Sequence, residues 1–258
     1  MSERDTAAFD LSGKLIVVTG GNGGIGLGIA RGLARAGASL SIWARNPEKS
    51  ADAQAELESL GAQVQTLACD VSSEADVVRA TAETLDRFGR IDVGVANAGF
   101  GRGQDPLEMS LADWHDVLAT NLDGTFLTFR ELGRHMAARE GNGKLIAISS
   151  ISAFNGTPMQ VHYAASKAGV EALVRSLAVR FARYDIQVNA VQPGWIVTDA
   201  TRPATQIESF SDVVVKRTPA RRWGEADELA GIAVYLSSDA SSFHTGDTIR
   251  VDGGYATF

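Results

Sequence analysis

The sequence predicts a single-domain α/β protein, with a parallel sheet covered by helices on both faces. Three observations carry that expectation. Short apolar runs of strand length alternate with stretches of helical period from Lys14 to Val251, the pattern of strands joined by crossover helices. A glycine-rich turn, Thr19-Gly-Gly-Asn-Gly-Gly-Ile-Gly26, lies between the first strand and the first helix. No linker, repeat or low-complexity segment divides the 258 residues, so one core is expected over residues 1–258.

Each element has its own reason. Lys14 to Thr19 is an unbroken apolar strand, and Gly24 to Ala36 carries Ile25, Ile29 and Leu33 at helical spacing. Ser39 to Ala44 is the second strand. The next helix opens at Asn46-Pro47, where asparagine caps and proline suits the first turn. Gln63 to Ala68 forms the third strand, and Ser73 caps a helix that runs to Phe88 and stops at Gly89. Ile91 to Ala96 is the fourth strand, followed by a long helix from about Leu111 to Ala138 and a fifth strand at Lys144 to Ile148. A helix from about Met159 to Ala182, a strand at Ile186 to Gln192, a helix at Glu225 to Leu236 and a strand at Thr248 to Val251 complete the chain. Thr198 to Arg222 has two prolines and no clean period, which suits a lid over the crevice. The first ten residues are expected to form a flexible extension.

Composition narrows the function. A charge of −7 argues against nucleic acid, whose binding needs a basic face to displace counterions. There is no long apolar run for a membrane span, and the opening MSERDTAAFDLSG has no secretory h-region, so a cytoplasmic location is expected. The one cysteine, Cys69, fits a reducing compartment and reads as core packing. His115, His135, His162 and His244 are scattered without ligand spacing, and no metal site is expected.

The chemistry concentrates between Ser150 and Lys167. Tyr163 and Lys167 are four apart, so a helix places the ammonium beside the phenol, which ordinarily titrates near ~10 and is moved towards working pH by a close cation. Ser150 stands thirteen residues before Tyr163, after the apolar run Lys144-Leu-Ile-Ala-Ile-Ser149. Side chains alternate along a strand, so only one of Ser149 and Ser150 faces the crevice at its carboxyl end, and the spacing favours Ser150.

The Ser-x12-Tyr-x3-Lys spacing, the Thr19 to Gly26 loop and Asn97-Ala-Gly99 between them resemble the single-domain branch of the short-chain dehydrogenase/reductase family, from about Leu11 to Gly254. That resemblance implies a Rossmann-like, doubly wound sheet of seven strands in the order 3-2-1-4-5-6-7. It implies a catalytic set of Asn121, Ser150, Tyr163 and Lys167. In it Tyr163 transfers the proton, Ser150 binds the reacting oxygen, Lys167 holds the nicotinamide ribose and lowers the tyrosine, and Asn121 belongs to a helix whose carbonyl holds a relay water. Gly20, Asn22, Gly24, Ile25 and Gly26 would cradle the pyrophosphate, where a helix N-terminus also attracts it. Asp70 and Val71 would meet the adenine, and Asn97, Ala98 and Gly99 its ribose. Pro193, Gly194, Ile196 and Thr198 would form the nicotinamide-contacting turn.

The second strand ends without the acid that usually selects NAD. Ala44 stands in its place, followed by Arg45, whose planar cation suits a 2′-phosphate, so NADP is expected over NAD. The glycine loop lacks the further basic residue that many NADP-binding members carry. Phe100, Phe154, Met159 and Trp195 suggest a partly apolar pocket, and Arg102 reads as a solvated loop residue. The expected partner is a small carbonyl or alcohol substrate, either a 3-oxoacyl thioester or a sugar or polyol. Two other readings are an epimerase or dehydratase sharing Tyr-x3-Lys, and a non-catalytic nucleotide sensor. The resemblance, the apolar long helices and the aromatic C-terminal segment imply a homotetramer.

Overall fold

The computed structural model describes residues 8–139 and 143–257. Strands β1 (Leu15–Thr19), β2 (Ser39–Ala44), β3 (Val64–Ala68), β4 (Val93–Ala96), β5 (Gly143–Ile148) and β6 (Ile186–Pro193) alternate with helices α1 (Gly24–Arg35), α2 (Pro47–Ser59), α3 (Glu74–Phe88), α4 (Leu111–Leu118), α5 (Gly124–Ala138) and α6 (Val161–Phe181). Beyond β6 come β7 (Ile196–Val197), α7 (Arg202–Thr205), α8 (Glu208–Arg217), β8 (Gly224–Glu225), α9 (Ala230–Ser237) and β9 (Thr248–Val251). Seven strands pair in the order β3-β2-β1-β4-β5-β6-β9, every pair parallel. This is the expected doubly wound order, with β9 as the seventh strand.

Strand alternation builds two cores. Ile16 and Val18 of β1 pack with Ile29 and Leu33 of α1 and Leu236 of α9. Leu15 and Val17 face the other way, towards Val77 of α3, Phe129 and Leu132 of α5, and Val170 and Val174 of α6. Central strands are therefore buried on both faces, which is why they read as continuous apolar runs. The expected caps form: Asn46 accepts from the Lys49 N–H, Ser73 from the Asp76 N–H, and Gly89 closes α3 at φ 75°.

Several boundaries differ from expectation. The long helix at 111–138 is interrupted by a π-helical turn at Ala119–Asp123. The helix before the last strand opens as a 3-10 turn, Ala226–Leu229, whose start is fixed by a capping box between Glu225 and Glu228. The region 198–222 is helical in part. Of α8 only Val214 is buried, so no apolar stripe marks it in sequence. Of the N-terminal extension expected over residues 1–10, residues 1–7 lie outside the described residues, and Leu11 just beyond it is fully buried. Among the described residues, no helix is long and apolar enough to cross a membrane.

Candidate active site

The carboxyl ends of β1, β4, β5 and β6 lie side by side, so the segments that leave them meet over one crevice. Tyr163 sits in the first turn of α6 and Lys167 one turn on. The Lys167 ammonium lies 5.7 Å from the Tyr163 ring centroid and donates to the Ile148 carbonyl at 2.7 Å. This bond ties α6 to the last residue of β5, immediately before the two serines. Ser149 turns inward and donates to Glu171 Oε1 at 2.8 Å. Ser150 is only partly buried and lies close enough to Tyr163 to favour its phenolate, and its Oγ accepts from the Ser152 N–H at 3.1 Å.

Burial dominates both titrating groups. It raises the Tyr163 phenol above its ordinary value, and the hydrogen bond with Ser150 opposes it. It pushes Lys167, only 5% exposed, down to about 8. In this geometry desolvation raises the phenol, and the cation expected to lower it is itself disfavoured by burial.

Asn121 lies in the π-helical turn and is fully buried. Its amide donates to the Phe100 carbonyl and to Ser166 Oγ, both at 3.0 Å, and its Oδ1 accepts from the Phe100 N–H at 2.9 Å. Ser166 in turn donates to the Tyr163 carbonyl at 2.7 Å. The side chain thus joins the segment after β4 to the helix that carries Tyr163. The Asn121 carbonyl accepts from the Thr125 hydroxyl at 2.8 Å. A Cβ at Gly99 would stand 2.9 Å from Asn121 Oδ1 and 3.4 Å from Lys167 Nζ, so the absence of a side chain there lets the backbone close on both.

The glycine loop is built as a cradle. Gly20 and Gly24 hold positive φ, 63° and 51°, where a side chain would be strained. A Cβ at Gly26 would collide with the Gly20 carbonyl and the Asn97 amide, so α1 packs directly on the loop. No side chain caps the N-terminus of α1, which leaves its first N–H groups and positive dipole end free of a side-chain partner, a setting that suits an anion. Ile25 packs its side chain against the core, leaving its backbone in this turn. These features fit a dinucleotide pyrophosphate.

The remaining cofactor candidates divide. Gly20, Asn22, Arg45, Asp70, Val71, Ala98 and Gly99 line one cavity of about 230 Å³, together with Lys49 and Cys69. Arg45 is 67% exposed and stands 3.8 Å from Asp70 Oδ2, while Asp70 Oδ1 accepts from the Ser72 N–H and hydroxyl. Burial pushes the Cys69 thiol up to about 12, an inert group. Asn22 is held by Ser50 Oγ at 3.1 Å. Asn97 is turned away from this cavity: its amide donates to the Thr19 and Gly20 carbonyls, while Thr19 Oγ1 accepts from the Asn97 and Ala98 N–H groups. Pro193 ends β6, and Gly194 is a close approach to Asp252, just after β9. The Ile196 carbonyl accepts from the Thr201 hydroxyl, and Thr198 rests against Gly24.

The apolar pocket is only partly assembled. Trp195 packs in an aromatic cluster with Phe210, Trp223 and Tyr255, and Phe154 and Met159 are exposed. Arg102 pairs with Asp113 and Asp116 at 3.3 and 3.4 Å. Sequence reading placed Thr19 in the glycine loop but not as a brace for Asn97 and Ala98, and did not anticipate Ser166 or Lys49 at the site. Ser166 had a signal in its position three residues after Tyr163, one helical turn away. Lys49 had one in being a cation in the first turn of a helix, the wrong end of the dipole.

A doubly wound sheet with such a cradle in its crevice, and a tyrosine, lysine and serine joined beside it, defines a dinucleotide-dependent oxidoreductase. The family model described as enoyl-(acyl carrier protein) reductase matches residues 20–256. The chain is 39% identical over 246 residues to the gluconate 5-dehydrogenase of Gluconobacter oxydans, covering 95% of this chain and 96% of that one. It is 37% identical over 244 residues to the 3-oxoacyl-(acyl-carrier-protein) reductase of Chlamydia pneumoniae, covering 95% and 97%. Among solved structures it resembles a gluconate 5-dehydrogenase from Burkholderia cenocepacia in complex with NADP and tartrate, at 40% identity and a TM-score of 0.94, covering 98% and 99%. The chain belongs to the short-chain dehydrogenase/reductase family, and it is an oxidoreductase acting on CH–OH groups.

Proposed function

We propose that the chain interconverts a ketone and a secondary alcohol on a small polyhydroxy acid of the gluconate type, with NADP(H) as its cofactor. The observation that carries the reaction is the linkage of Ser150, Tyr163, Lys167 and Asn121 across β5, α6 and the π-helical turn, beside a glycine cradle. When bound, NADP(H) supplies or accepts the hydride. Tyr163 gives its proton to the carbonyl oxygen during reduction and takes one from the alcohol during oxidation. Ser150 hydrogen-bonds that same oxygen as its charge develops. Lys167 holds the nicotinamide ribose, and Asn121 fixes the Gly99-Phe100 backbone that closes the site. The residues 198–222 form the lid.

Arg102 is matched by Asp113 and Asp116, so it offers little field for docking an acidic carrier protein. The relatives named for gluconate, and the NADP in the Burkholderia complex, support the same reading. The test follows absorbance of reduced nicotinamide with NADPH or NADH and either 5-ketogluconate or a 3-oxoacyl thioester. Turnover of the keto acid with NADPH is expected. Turnover of the thioester alone would overturn the substrate, and a preference for NADH would overturn the cofactor.

We place the enzyme in the cytoplasm as a homotetramer. Exposed Phe126 of α5 and Val179 of α6, and the wholly exposed Phe243 near β9, support two separate interfaces. A monomer by light scattering at micromolar concentration would overturn the assembly.

A further inference from the structure

Lys49 stands between two cavities. It lines the cavity of about 230 Å³ with Arg45, and also a second groove of about 590 Å³ between α1, α2 and the start of the lid. Across that groove its ammonium is 3.0 Å from Asp199 Oδ2. Asp199 directly follows Thr198, which rests on Gly24, so this pair ties the first turn of the lid to α2. Both side chains are largely exposed, 55% and 75%, and an exposed ion pair is weak enough to be exchanged. Lys49 lies in the first turn of α2, where the helix dipole mildly disfavours a cation.

We propose that Lys49 is the second cation for the cofactor's 2′-phosphate, shared with Asp199, so that the phosphate and the lid compete for one ammonium. The inference rests on the NADP reading above. It supplies from α2 the positive charge that the glycine loop, Gly20 to Gly26, does not contain. A phosphate carries more charge than the Asp199 carboxylate and is met at the same time by Arg45, so it takes the ammonium and releases the lid's first turn. NAD has no group to do this. The two cofactors therefore leave the lid differently tethered.

The test titrates 2′,5′-ADP and 5′-ADP into wild type, Lys49→Met, Asp199→Asn and the double variant by calorimetry, with melting temperatures to check folding. Lys49→Met should weaken 2′,5′-ADP about five- to thirtyfold and leave 5′-ADP unchanged. Asp199→Asn should tighten 2′,5′-ADP about two- to fivefold, by removing the competitor, and that gain should vanish in the double variant. Hydrogen exchange at residues 199–205 should rise with 2′,5′-ADP and not with 5′-ADP. If Lys49→Met weakens both ligands equally, or Asp199→Asn tightens 2′,5′-ADP as much without Lys49 as with it, sharing is wrong. If wild type does not distinguish the two ligands, the NADP reading itself is wrong.

Discussion

The two ends of the cofactor cleft are built on opposite principles. At the reacting end the functional groups are buried and held by the protein's own backbone: Lys167 on the Ile148 carbonyl, Asn121 on Phe100 and Ser166. At the adenosine end Arg45 and Lys49 are exposed and Asp70 half-buried, and they meet one another or the lid through surface ion pairs. Burial fixes geometry and shifts titration, so a change at the reacting end disturbs several partners at once. Exposed charges cost little to replace. Chemistry is therefore rigid in this chain, and cofactor preference is adjustable.

The largest effect is expected at the reacting end. Tyr163→Phe keeps the ring and removes the transferable proton, and kcat should fall by ~10²–10⁴ with cofactor affinity nearly unchanged. Retention of more than about a tenth of the rate would remove Tyr163 from the proton transfer.

Whether burial moves a lysine as far as Lys167 can be tested at the opposite end of β5. Lys144 of β5 is 3% exposed, donates to Gln187 Oε1 and Ser241 Oγ, and is pushed down to about 8, by burial first and by the charge of Lys14 second. Its folded value lies below the unfolded 10.5, so between about pH 8 and 10.5 the unfolded chain binds more protons. Stability relative to Lys144→Met should rise across that window by about 3 kcal/mol at most, and stay flat below it. A difference that does not change with pH in denaturant titrations would mean that this lysine is not shifted.

At the adenosine end Arg45→Ala should weaken NADP about ten- to a hundredfold and hardly affect NAD. Equal loss of both would make Arg45 a mere surface residue. The smallest effect should come from Ser149→Ala, which removes the bond to Glu171 for about 1 kcal/mol of stability and leaves turnover near wild type. A collapse of kcat there would exchange the roles of Ser149 and Ser150.

The parts of the fold that follow from burial were legible in sequence. Strands covered on both faces are continuous apolar runs, and Asn46, Ser73 and Gly89 mark helix ends through local backbone chemistry. The strand order came from the family resemblance, because alternation alone does not rank neighbours. The direction of Ser150 was legible because pleating leaves two choices. Asn97 was legible as a member of the site, but not as a brace that spends its amide on Thr19 and Gly20, since which way an amide points depends on tertiary contacts. The lid helix α8 was hidden because one buried residue makes no period. Lys49 carried a signal, a cation at the wrong end of a helix dipole, but its pairing with Asp199 was hidden because an exposed cation looks the same whether or not it has a distant partner.

The π-helical turn at Ala119–Asp123 has a consequence for how this chain tolerates changes in length. A residue inserted into or removed from a helix rotates everything beyond it by about 100°, and a wide turn absorbs one surplus residue without passing that rotation on. Deleting Leu122 should therefore restore a regular helix from Leu111 to Ala138 while swinging Asn121 out of register with Phe100 and Ser166. Helix content by circular dichroism should survive such a deletion and turnover should not. If both survived, the surplus residue would be an accident of descent rather than a spacer between the helix's packing and its function.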